Sequence, residues 1–162
     1  MKSRYGTIIW DWLIVASTAV FLAAALIAPF APHLVDSTLW SGMCHQIPHR
    51  CLAINDYAMP LCGRCTGIFA GFLLGRFYFG ITRVSVMRLL AAAVLITVMC
   101  VEWWLEQSGW AASNEIRLAS GVAFGVGYSY LFHIVPLNVL RGFSSSLVTG
   151  KLKAVLRVIS AH

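Results

Sequence analysis

Cys44, His45, His49, Cys51, Cys62 and Cys65 crowd into one stretch, CHQIPHRCLAINDYAMPLCGRC, and of the five cysteines only Cys100 lies elsewhere. Soft thiolates and imidazoles at this density suit a transition metal or thiol redox chemistry. Cys62-Gly63-Arg64-Cys65 supplies one C-x-x-C grip, half of a zinc-knuckle arrangement. The other half has to come from upstream, where Cys44, His45, His49 and Cys51 offer sulfur and nitrogen donors with loop to spare. Four ligands of this kind suit tetrahedral zinc best, with copper or iron behind it.

The same residues support a rival chemistry. The partial positive charge of a helix N-terminus, together with Arg64, favours ionised thiols at Cys62 and Cys65. Cys44 and Cys51 then form a second pair. Acidic thiols on the oxidising side of a membrane are what disulfide exchange uses. A C-x-x-C opening the second helix, with both termini inside, resembles the four-helix membrane oxidases that pass electrons from periplasmic disulfides to quinone. That resemblance implies redox roles for Cys62, Cys65, Cys44 and Cys51. The loop between the third and fourth spans has no cysteine, so the separate substrate-facing pair of such oxidases is missing. One or two plain structural disulfides are the third reading.

What positions these residues is a lipid-soluble chain. Of 162 residues, 59% are apolar and 11% charged, and mean hydropathy is +0.79. Soluble domains carry about 25% charged residues. Apolar stretches at 8–30, 61–81, 86–105 and 118–140 each approach the ~20 residues that cross a bilayer. The first is too long for a signal peptide, carries Asp11 and lacks a clean cleavage site, so it reads as a retained span. Lys2, Arg4, Arg83, Arg88, Arg141 and the tail cations fall on one side, and Arg50, Arg64 and Arg117 on the other. The positive-inside rule puts both termini in the cytoplasm and the 31–60 loop outside. The net charge of +6 is thereby explained by topology. No basic stripe with interleaved aromatics points to nucleic acid. Residues 146–162 pattern as a basic amphipathic helix for the inner leaflet.

Within the spans, Gly67, Gly71 and Gly75 recur every four residues, and Gly121 and Gly125 do the same. Such stripes let backbones approach closely in lipid. Asp11 and Arg76 both reach the inner half of the bilayer, where an unpaired charge is expensive, and are expected to pair. His133 shares that layer. It can ligate a haem or a chlorophyll through one axial bond, or belong to a hydrogen-bonded ion cluster. His33 lies at the opposite end, and Cys65 is followed by Thr66 where a haem-attachment motif needs His, so haem is disfavoured. Glu102 lies at the depth of Arg64, as its partner, an interfacial carboxylate or a group supporting the cysteine site.

The run Cys44-His45-Gln46-x-Pro48-x-Arg50, then Pro60-x-Cys62-x-Arg64-Cys65-Thr66-Gly67-Ile68, resembles the signature of a bacterial and archaeal membrane family, domain of unknown function 2085. That family usually has serine where this chain has Cys51. The resemblance therefore implies a shared core of Cys44, His45, Cys62 and Cys65, leaving Cys51 as an addition.

Together these readings describe an all-α integral membrane four-helix bundle (residues 1–145) with an amphipathic tail (146–162). It sits in the bacterial inner membrane with the Cys/His loop on the periplasmic or exterior face. Cys44, His45, Cys62 and Cys65 hold a metal, zinc before others. The expected role is an accessory or stabilising subunit of a larger membrane complex, more a binding protein than an enzyme. The alternative is a quinone-linked thiol-disulfide oxidoreductase. Expected partners are the bilayer and other membrane subunits, and no nucleic acid.

Overall fold

The computed structural model describes residues 2–31, 38–54, 57–79 and 85–134, with the side chains of 2–8, 39, 79 and 132–134 outside that description. Four helices carry the architecture: α1 (Lys2–Ile27), α3 (Gly63–Phe79), α4 (Val86–Gln107) and α5 (Asn114–Tyr128). A short helix, α2 (Thr38–Ser41), and a 3₁₀ turn (Pro48–Arg50) lie in the first connection. A π-helical turn, Ser129–Ile134, follows α5. Two segments, Ile9–Ile27 and Val86–Gln107, are long and apolar enough to cross a membrane by themselves. The π-helical turn carries the backbone of His133, but its side chain is outside the described part, as are His33, residues 135–140 and the whole 146–162 tail.

The expectation of a purely α-helical chain needs one correction. Strands β1 (Cys51–Ile54) and β2 (Tyr57–Cys62) form an antiparallel hairpin in the Cys/His loop. Leu52, Ile54, Tyr57, Met59 and Leu61 alternate with smaller residues, and Asn55-Asp56 stands between the paired Ile54 and Tyr57. Period-two alternation around a two-residue polar turn is a hairpin signal. The hairpin takes Leu61 and Cys62 out of the expected second span, and α3 begins two residues later than expected, at Gly63.

Helix directions follow from their contacts. Arg76 near the end of α3 meets Asp11 near the start of α1, and Phe69 meets Phe21 at 4.9 Å, so α1 and α3 are antiparallel. Gly63 faces Asn114 and Gly75 faces Val126, so α3 and α5 run parallel. Gly127 faces Ala92 and Ser120 bonds Glu102, so α4 runs back against α5.

Among the described residues, the α3–α5 seam is the closest. A methyl group added at Gly71 would collide with the Val122 backbone, and one at Gly125 with that of Ile68. Only glycine allows backbones this near, which is how a small-residue stripe contributes in lipid. The expected stripes at Gly67, Gly71, Gly75, Gly121 and Gly125 therefore face one another. The expected Asp11–Arg76 pair is also present, with Nε donating to Oδ1 at 3.0 Å and Nη2 to Oδ2.

A second core packs the loop onto the helices. Ala25, Trp40, Cys44, Met59 and Leu61 are buried together, with the Phe21 ring tilted at 56° to that of Trp40, centroids 4.1 Å apart. This core sets the loop's height above α3.

Candidate metal centre

Cys44 leaves the Trp40 core with its thiol buried, directed at the end of the hairpin. The Cys62 amide donates to Cys44 Sγ at 3.2 Å, and the Cys65 amide donates to Cys62 Sγ at 3.5 Å. The Sγ atoms of Cys44, Cys62 and Cys65 all lie within 4.8 Å of one another. Zinc at ~2.3 Å from each sulfur of a tetrahedron sets them ~3.8 Å apart. The triad could hold a tetrahedral ion after side-chain shifts of about an ångström, and its donor set is compatible with zinc.

All five cysteines are free thiols. Cys62 is the last residue of β2, ahead of the helix. Its thiol is held down at about 5, chiefly because the Cys65 thiol donates to it, with Cys44 and the nearby amides adding. Cys51 goes the other way. It sits opposite Cys62 in the hairpin, and burial pushes its thiol up to about 11, with Cys44 and Cys62 adding to the effect. That thiol donates to the Ile47 carbonyl at 3.3 Å. Cys51 is thus a buried structural donor beside the triad.

His45 and His49 are both exposed. His45 lines the same pocket of about 310 Å³ as the three cysteines. The chain turns sharply just after it, because Gln46 adopts φ 51°, a left-handed conformation few side chains accept. Gln46 Nε2 donates to the Pro60 carbonyl at 3.3 Å, tying this turn to β2. Cys100 lies exposed on α4, remote from the triad in sequence and outside its sulfur group.

Behind the sulfurs runs an ion network. Arg64, between the two cysteines of the C-x-x-C, gives Glu102 two of its nitrogens and Glu106 one, at 2.7–3.1 Å. Arg117 reaches Glu106 at 2.7 Å and Arg50 reaches it at 3.3 Å. Ser120 donates to Glu102 at 3.2 Å. Glu102 is therefore the buried partner of Arg64, and the carboxylate of Glu106 gathers three guanidinia. Asn114 Nδ2 bonds the carbonyls of His49 and Cys51, fastening the loop to α5. Sequence reasoning did not assign Arg50, Arg117, Glu106 and Asn114 to the site. Arg50 had a signal, since it stands in the same signature run as Cys44.

Seven signature residues share this pocket: Cys44, His45, Gln46 and Arg50 from the loop, and Cys62, Arg64 and Cys65 from the hairpin end and helix. A family described as a predicted membrane protein, domain of unknown function 2085, matches residues 44–131, more than half the chain. The chain belongs to this family. An uncharacterised protein of Methanocaldococcus jannaschii is 24% identical over 142 residues, covering 77% of this chain and 90% of its own length. One from Methanothermobacter thermautotrophicus is 27% identical over 105 residues, covering 61% and 92%. No solved structure matches the chain. The domain 2085 match begins at Cys44, the first cysteine of the triad.

Proposed function

We propose that this membrane protein holds a structural zinc ion through Cys44, Cys62 and Cys65, with His45 as the nitrogen ligand, and stabilises a larger membrane complex as an accessory subunit. The convergence of three thiols from two separate segments carries the reading, since the partners Cys44 and Cys62 are 18 positions apart in the chain. His45 adjoins the triad in sequence and lines the same pocket; its ring lies outside the 4.8 Å sulfur group, and a side-chain swing would bring it in as the fourth donor of a tetrahedron. The proposed topology is a four-span bundle over 1–145 with both termini cytoplasmic, the Cys/His loop outside the inner membrane and the 146–162 tail on the inner leaflet. Alternating helix directions support it, as does the cation distribution. Partner subunits are supported by exposed Trp103, Trp104 and Trp110 and by an open apolar groove of about 740 Å³ along α4 and α5. Cofactor ligation by His133 is not part of this proposal.

Elemental analysis of protein purified without chelator tests the site. One zinc per chain is expected, lost in Cys65→Ser and bound more than about tenfold weaker in His45→Ala. The acidity of Cys62 favours a second reading, quinone-linked thiol exchange through Cys62 and Cys65. Absence of stoichiometric metal, with thiols that cycle when quinone is added, would replace the first reading by the second. Thiol labelling of intact cells under reducing conditions is expected to reach the loop from outside; labelling only after permeabilisation overturns the topology.

A further inference from the structure

A structural zinc site needs only its four ligands, yet the pocket around Cys44, Cys62 and Cys65 is walled by cations. Arg50, Arg64 and Arg117 all line it, together with Gln46 and Gln107. Among the described residues, no carboxylate is part of that lining. Glu102 and Glu106 bond the guanidinia away from the pocket lining, two carboxylates against three cations. One positive charge is left over. Arg117 is 8% exposed, and its buried Nε has no partner among the described residues. Arg50 Nε is also buried and without a partner. Buried donors of charged groups are costly to leave unmade. Arg50 and Arg64 keep 37% and 16% of their side chains exposed, and these, rather than the sealed Nε atoms, face an acceptor that arrives from outside.

We propose that the pocket binds a phosphate group, whose oxygens take up the guanidinium wall beside the sulfur centre. A phosphate offers more acceptor oxygens than a carboxylate, and arginine forks match its geometry. At about 310 Å³ the pocket is at the small end of ligand sites, enough for a phosphate-bearing head group. The group arrives either as free phosphate or as the head of an anionic phospholipid, and the recognition chemistry is the same. The binding does not depend on the metal, because the three arginines line the pocket whether or not the sulfurs hold an ion. A zinc ion held by three thiolates and a neutral imidazole carries one negative charge, so loading it weakens phosphate binding.

The full chain in phosphatidylcholine nanodiscs, stripped with chelator and then reloaded with zinc, provides the test. Inorganic phosphate that saturably raises the melting temperature identifies a free ligand. A rise seen only in nanodiscs doped with phosphatidylglycerol identifies a lipid head group. No rise in either arm overturns the proposal. Arg50→Gln is expected to weaken binding about tenfold, and Arg50→Lys less, with zinc content retained. Unchanged binding in Arg50→Gln overturns the proposal. Should that variant also lose zinc, Gln107→Ala, exposed and outside the ion pairs, decides: weaker phosphate binding supports the site, and unchanged binding overturns it. Zinc content is read separately in every sample, so loss of the metal reading and loss of this one are distinguishable.

Discussion

At one end of α3, Arg64 pairs with Glu102 and shares Glu106 with Arg117 and Arg50; at the other, Arg76 closes on Asp11. Both clusters bury charge in an apolar chain, which is expensive unless paired. The Asp11–Arg76 pair is two-pronged, balanced in charge and joins two helices. Its chemistry is finished. The Arg64 cluster is unbalanced, joins α3, α4, α5 and the loop, and faces a pocket that contains the sulfur triad. The contrast teaches where to look for activity: a closed ion pair sets helix register, whereas an open network beside soft ligands is built for something more.

The largest expected effect breaks the open cluster. Glu106→Ala strands Arg117 and Arg50 without their carboxylate, and should cost about 3–5 kcal/mol in unfolding measured by denaturant titration in micelles. A loss smaller than that of the inner pair would reverse the contrast. For the closed pair, Asp11→Leu should cost about 3 kcal/mol, and Asp11→Leu with Arg76→Leu distinctly less, because no charge is then stranded. Equal damage from the double change would tell against the pairing as the source of stability. The seam joining the two ends comes next. Gly71→Val should destabilise by about 1–3 kcal/mol through overpacking against Val122 and loosen both clusters, seen as faster amide exchange in α3 and α5. Smallest is Cys51→Ser, since a hydroxyl can also donate to Ile47. Stability should change by less than about 1 kcal/mol with zinc content intact. Loss of zinc there would return Cys51 to the ligand set.

Much of this was readable from residues close in sequence. The spans at 8–30 and 86–105 came within a few residues of α1 and α4 at most ends, because apolar runs and breakers such as Pro29 act locally. The glycine stripes and the Asp11–Arg76 pair were readable from helical rise and depth. The hairpin was missed although its alternation was present in Leu52–Leu61. The C-x-x-C and the membrane setting had drawn those residues into a loop and a helix. The gathering of Arg50 and Arg117 on Glu106 had no local signal, since it depends on how the loop and α5 dock beside α4.

By itself, the sequence determined a helical, lipid-soluble chain with one segment rich in metal-type donors. Composition, hydropathy and spacing are properties of neighbours along the chain, and those are enough for helices, stripes and a C-x-x-C. Only the tertiary structure decided which donors meet. Burial of Trp40 delivers Cys44 to the hairpin end, the Ile47 carbonyl takes up Cys51, and three arginines close around one pocket. These outcomes rest on contacts between segments that packing alone brings together, and packing is what turns six candidate ligands into a triad with a cationic wall.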